Sequence, residues 1–149
     1  MKFVDLKSIN LDRLVAFLNE NDIRAHLIKH ALYDTQTAQE WVNSKLALDA
    51  LEGCYVRAIE VEGSLAGWCG IQPDDSVYEI AIVLQKSCWG MGIPVFRQLL
   101  ETAKKMGHKE VVLNLLDSRP QYESLRRLAS KVEKRHIHGG CFTTYHILL

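Results

Sequence analysis

The sequence predicts a mixed α/β fold: a mostly antiparallel central sheet with one parallel pair inside it, and helices on both faces. Three observations carry this reading. The runs VYEIAIVL (77–84) and EVVLNLL (110–116) are almost continuously apolar, as strands covered on both faces are. Between them Phe96, Leu99, Leu100, Ala103 and Met106 recur at helical spacing. A helix joining the two strands is a right-handed crossover and makes them parallel. Two further pairs of β-rich runs, 54–61 with 65–72 and 132–137 with 142–149, are separated by glycine turns and read as hairpins, so the rest of the sheet is antiparallel.

Taken in order, a short strand from Lys2 to Asp5 leads into helical pattern. Leu14, Val15 and Leu18, then Ile23, Leu27, Ile28 and Ala31, keep helical spacing, with Asn21 and Asp22 dividing the two pieces. Thr37 with Glu40 three residues on reads as a capping box, opening a helix through Trp41, Lys45 and Leu48 that stops near Gly53. Glu62-Gly63 turns the first hairpin, and Pro73-Asp74-Asp75-Ser76 turns into the strand at 77–84. The crossover helix runs from about Pro94 to a stop at Gly107. Pro120 suits the first turn of a helix reaching Ala129, and Gly139-Gly140 turns the last hairpin. The order is β, α, α, β, β, β, α, β, α, β, β, and the chain of 149 residues suits one domain over 1–149.

Composition narrows the function classes. Lys and Arg number 18 and so do Asp and Glu, so no overall field draws the chain to nucleic acid or an anionic membrane. A local exception is 118–138, with six Lys/Arg against two Asp/Glu, a pattern usual for a solvated helix. No apolar run approaches the roughly 20 residues of a membrane span, and MKFVDLKSIN lacks the apolar core of a signal peptide. The expectation is a cytoplasmic protein with no membrane partner; a homodimer is compatible with the sequence. Cys54, Cys69, Cys88 and Cys141 form no CxxC pair or zinc pattern and read as reduced, inert, buried thiols. His26 with His30, and His136 with His138, have suitable local spacing but no third ligand, so no metal is expected.

The segment richest in chemistry is EIAIVLQKSCWGMGI (79–93). A buried strand ends, a short loop passes Trp89-Gly90-Met91-Gly92, and a helix starts at once. Two glycines one residue apart let the backbone turn sharply and leave no side chains above the amides. The free N–H groups of the new helix then converge with the positive end of its dipole behind them, a nest suited to a pyrophosphate. A plain strand-to-helix turn would use the same residues.

This segment, extended to EIAIVLQKSCWGMGIPVFRQLL, resembles the acetyl-CoA-binding motif of the GNAT acetyltransferase superfamily, in the style of its ribosomal-protein N-acetyltransferase branch. Glu79, Ile80, Leu84, Trp89, Gly90 and Gly92 match that pattern at its spacing. Ala81 replaces a usual Gly, Lys86 a usual Pro, and Ser87 a usual Gln or Arg. The order of elements matches the superfamily over nearly the whole chain. The resemblance implies that the strand around Val83 and Leu84 splays from its parallel neighbour after a bulge, its freed backbone pairing with the pantetheine arm of acetyl-CoA. It implies a cofactor site of Val83, Leu84, Gln85, Lys86, Trp89, Gly90, Met91, Gly92 and Ile93, with Ser118 or Asp117 where the family often places an Asn. Lys86 or Arg97 would meet the adenosine phosphates.

The reaction implied is direct transfer of acetyl to an amine acceptor, either a protein N-terminus or a small molecule. It needs a base for the ammonium proton and an acid for the leaving thiolate. Glu79 is the base candidate, because a carboxylate on an apolar strand is costly unless it serves a site or a partner; the alternative is a charge at the strand's entrance facing water. For the acid, the family's Tyr position falls on Ser124 or Leu125, and the Gly-Phe that usually follows that helix is missing. Tyr122, one turn early, is the first choice and Tyr145 the second; either could be a core tyrosine. Two other functions fit the same residues. One is a non-catalytic acyl-CoA-binding or regulatory module, and the other is an acetyltransferase acting on aminoacyl-tRNA through the 118–138 patch.

Overall fold

The computed structural model describes residues 1–25 and 31–149. Among the described residues, seven strands form one sheet: β1 (Lys2–Val4), β2 (Tyr55–Val61), β3 (Ser64–Asp74), β4 (Val77–Leu84), β5 (Glu110–Leu116), β6 (Lys131–Ile137) and β7 (Gly140–Leu148). Their order across the sheet is β1-β2-β3-β4-β5-β7-β6. All neighbours are antiparallel except β4 and β5, which are parallel. The helices are α1 (Leu11–Leu18), α2 (Asn21–Ala25), α3 (Thr35–Asp49), α4 (Gly92–Lys105) and α5 (Glu123–Leu128).

Two cores, one on each face, explain the unbroken apolar runs. On one face Val95, Phe96, Leu99 and Ala103 of α4 pack against Ile80, Leu84, Val111, Leu113 and Tyr145, and Leu125 of α5 joins them. On the other face Leu14, Phe17 and Leu18 of α1, with Ala38 and Val42 of α3, cover Val56, Ala58, Trp68 and Val83. Strand alternation sends Ile80, Ile82 and Leu84 to the α4 face and Ala81 and Val83 to the α1–α3 face. Each fully buried Leu, Ile or Val adds on the order of 1.5–3 kcal/mol, so β4 is held from both sides.

Local chemistry moves several boundaries. Asp34, not Thr37, caps α3: its Oδ1 accepts from Thr37 N at 2.8 Å while Thr37 Oγ1 accepts from Asp34 N at 2.8 Å. Thr37 is thus the reciprocal partner of the box, and Glu40 lies exposed outside it. Pro73 and Asp74 belong to β3, which turns only at Asp75 and Ser76. The helix expected from Pro94 begins two residues sooner, and the one expected at Pro120 begins at Glu123. The last hairpin turns at His138-Gly139, both with positive φ, the twist that suits a two-residue hairpin. Leu27, Ile28, His26 and His30 lie outside the described residues.

The two edges of β4 differ. Toward β3 the register runs from Gly67–Leu84 to Asp74–Val77 without a break, whereas toward β5 it holds at one pair, Glu79–Val112. The strands therefore part beyond Glu79, as the splayed pair requires. The accompanying bulge lies elsewhere than expected: the register shift is in β2–β3, where Ile59 pairs Gly67 and Glu60 pairs Leu65, skipping Ala66. The Ala66 carbonyl accepts instead from Gln85 N at 2.9 Å, fastening the chain just past the end of β4.

Candidate active site

The chain leaves β4 through a 3-10 turn, Lys86–Met91, and enters α4 directly at Gly92. Trp89 fixes this loop by donating its indole N–H to the Leu84 carbonyl at 3.0 Å, while the residue stays 42% exposed. Neither Gly90 nor Gly92 has positive φ, so the turn itself does not require glycine. A Cβ built on either would meet nothing within 4 Å. What the two glycines provide is not a sharp turn but open space above the backbone. Met91, which caps α4, offers no side-chain hydrogen bond to the first-turn N–H groups. The loop is open and stands at the positive end of a 14-residue helix, but the expected nest of free N–H groups is only partly there: the 3-10 turn already gives the Gly92 N–H to the Trp89 carbonyl, and Pro94 has none. Lys86 and Arg97 are exposed.

Val83 and Leu84 are buried at the parting of β4 from β5, followed by half-buried Gln85. Ile93 is 60% exposed on the first turn of α4. Because β4 and β5 run the same way, Ser118, exposed in the turn after β5, lies at the same edge of the sheet as this loop.

Glu79 stands at the single β4–β5 pair, on the α1–α3 face, half-buried, with each carboxylate oxygen accepting one hydrogen bond. Its Oε1 accepts from Gln72 Nε2 at 2.6 Å and its Oε2 from Asn114 Nδ2 at 2.8 Å. It is not a charge facing water at the strand's entrance. Gln72 Oε1 accepts in turn from Lys45 Nζ at 2.9 Å, and Asn114 Oδ1 from Thr144 Oγ1 at 2.6 Å. Asn114 Nδ2 also reaches Asp74 Oδ2 at 3.1 Å, which Arg135 of β6 holds at 3.1 Å. The Lys45 ammonium lies 4.4 Å from the Trp68 ring centre, and Trp68 meets Trp41 edge-to-face at 5.5 Å. Burial holds Lys45 below the usual lysine range, with Glu79 pulling the other way.

Gln72, Asn114, Lys45 and Thr144 were not singled out by the sequence. One signal was there: Asn114 is the only polar residue inside EVVLNLL after its first position, as Glu79 is inside VYEIAIVL. Two polar exceptions in adjacent buried strands point at each other.

The tyrosines occupy the opposite face. Tyr122 caps α5 and is 38% exposed; Tyr145 is 2% exposed in the α4 core. Both line a cavity of about 280 Å³, together with Glu123 and Arg126 of α5 and Lys134 of β6. Tyr145 pairs with Leu113 and Glu79 with Val112, so alternation puts the two on opposite sides of the sheet.

Four of the six basic residues of 118–138 are in ion pairs: Arg127 with Glu123, Lys131 with Glu133, Lys134 with Asp117, and Arg135 with Asp74. Among the cysteines, Cys54 and Cys69 are buried, burial pushing the Cys69 thiol up to about 12. Cys141 departs from the expectation: it is exposed, its Sγ 3.3 Å from His136 Nδ1, because it heads β7 at an open hairpin end. Among the described residues no group of three or more His, Cys, Asp or Glu could hold a metal ion, and no helix is long and apolar enough to cross a membrane.

Residues 3–131 match the family model described as acetyltransferase (GNAT) domain. No curated protein sequence matches the chain. Among solved structures, the chain is similar to a ribosomal-protein-alanine N-acetyltransferase from Brucella melitensis, at 14% identity over 99% of this chain and 98% of that one, with TM-score 0.71. It is similar to a Salmonella typhimurium acetyltransferase that modifies the N-terminal serine of a 50S ribosomal subunit protein, at 16% identity over 99% and 93%, with TM-score 0.69. A putative acetyltransferase from the same organism, solved with its cofactor acetyl-CoA, is 15% identical over 99% and 92%, with TM-score 0.66.

Proposed function

The chain belongs to the GNAT acetyltransferases, and from that premise we propose that it moves an acetyl group from acetyl-CoA to a primary amine by direct attack. The observation that carries this reading is the parting of β4 from β5 beside the open glycine cradle of α4. Acetyl-CoA supplies the thioester carbonyl that the amine attacks and the thiolate that leaves.

The residues divide the work by face. The backbone of Val83 and Leu84, freed from β5, suits an extended arm lying alongside as an added strand. The loop of Trp89, Gly90, Met91, Gly92 and Ile93, open above its glycines at the positive end of α4, suits the pyrophosphate; Gln85, Lys86 and Ser118 lie at the same end of the sheet. Glu79 takes the ammonium proton on the α1–α3 face as the general base. Tyr122 gives its proton to the thiolate from the α5 face, with Tyr145 second because its ring is packed in the core. Base and acid on opposite faces suit an attack in which amine and leaving group lie on opposite sides of the thioester. We propose a protein N-terminus as the acceptor to try first, since two similar structures act on ribosomal proteins. A cytoplasmic setting fits four free cysteines.

The test is acetylation of a panel of free-N-terminus peptides and small amines, read by product mass. The expected result is acetyl-CoA-dependent product that Glu79→Gln lowers roughly 10²–10⁴-fold, the range for a general base. Acetyl-CoA binding without product from any acceptor would favour the non-catalytic acyl-CoA-binding module instead.

A further inference from the structure

Resting on the reading of Glu79 as the base, we infer that Gln72, Asn114, Lys45 and Thr144 form a positioning clamp that holds its carboxylate in one orientation. A carboxylate on a half-buried strand can rotate, and a base that rotates is out of reach for part of the time. Here each oxygen takes one amide N–H, from Gln72 at 2.6 Å and from Asn114 at 2.8 Å. A carboxylate has about four acceptor positions, so the clamp leaves acceptor capacity for an incoming ammonium.

Either amide would fail if it flipped, because its carbonyl would then face a carboxylate. The outer residues prevent this. Lys45 has only protons to give, so Gln72 must present Oε1 to it and Nε2 to Glu79. The Thr144 hydroxyl, fully buried, donates to Asn114 Oδ1 at 2.6 Å and so satisfies the carbonyl while Nδ2 faces Glu79. Asp74, held by Arg135, takes a share of the same Nδ2 at 3.1 Å and reinforces that orientation. The clamp draws on α3, β3, β5, β6 and β7, so Glu79 is tied to both halves of the sheet. It also bridges β4 to β5 with side chains at the only place where their backbones pair.

Thr144 separates positioning from packing. Thr144→Val keeps the shape and removes the donor; Thr144→Ser keeps the donor and loses a methyl. If Thr144 acts by orienting Asn114, Val lowers kcat about tenfold with KM for acetyl-CoA unchanged, and Ser restores it. A role in packing alone gives the reverse order, with Ser the worse variant and Val near wild type, and overturns the inference. Asn114→Asp adds a second readout: a carboxylate beside Glu79 moves the acidic limb of the kcat/KM–pH profile to higher pH, and an unmoved limb contradicts the clamp. Glu79→Gln is measured alongside. Normal turnover in that variant removes the base reading and the clamp together; lost turnover there with an unaffected Thr144→Val removes the clamp alone.

Discussion

Along its edge with β3, strand β4 is paired from Val77 to Leu84; along its edge with β5 it is paired at Glu79 alone. The same eight residues build both edges, so their strand-forming character does not set the difference. The neighbours do. Gly67 lets β3 approach so closely that a Cβ there would lie 2.0 Å from the Val83 carbonyl oxygen. On the β5 side backbone pairing gives way to side chains, with Asn114 reaching Glu79. One edge is closed; the other is left unpaired beyond Glu79. Glycine serves both, for opposite reasons: at Gly67 there is no room for a side chain, while at Gly90 and Gly92 the room is empty.

That contrast can be broken first at the closed edge. Gly67→Ala forces a backbone clash and should destabilise the fold by about 3 kcal/mol or more, the upper end for overpacking, measured by urea unfolding. A variant as stable as the parent would mean that the β3–β4 edge is looser than described.

A smaller effect sharpens the open side. Burial holds Lys45 below the ordinary lysine value of 10.5, so the unfolded chain binds that proton more tightly than the folded one. Stability therefore rises as pH climbs through the window between the lowered value and 10.5. Lys45→Met keeps the stem over Trp68 and removes the partly buried charge. It should leave stability at pH 7 equal or higher by up to about 1 kcal/mol and flatten the alkaline rise, while turnover falls because Gln72 loses its donor. A loss of stability at pH 7 would mean that the contact of the ammonium with Trp68 outweighs burial.

The smallest change in stability is expected at the cradle. Gly92→Val should alter unliganded stability by no more than about 0.5 kcal/mol, since nothing lies within 4 Å of the added Cβ. The rise in Tm that acetyl-CoA gives the parent by mass action should vanish in this variant. An equal shift in both proteins would move the phosphates away from Gly92.

The sequence made the framework legible where the signal is local. β4 and β5 begin and end where their apolar runs do, because turn residues bound them. Glu79 and the glycines stood out as exceptions within a pattern. What escaped notice depends on distance along the chain: Lys45 meets Gln72 across 27 residues, and Asn114 meets Glu79 across 35. No periodicity links such pairs; only the strand order brings them together. Helix caps failed on a finer point, since Asp34 and Thr37 both satisfy the capping rule and only the backbone at Asp34, extended before the helix, decides between them.

We propose that acetyl-CoA completes the open edge of β4. Amide hydrogen exchange with and without acetyl-CoA tests it most directly, because pairing slows exchange at the groups it covers. Residues 81–84 and 89–93 should gain protection on binding, while β2 and the β6–β7 hairpin should change little. Protection confined to other segments, or none at saturating acetyl-CoA, would contradict it.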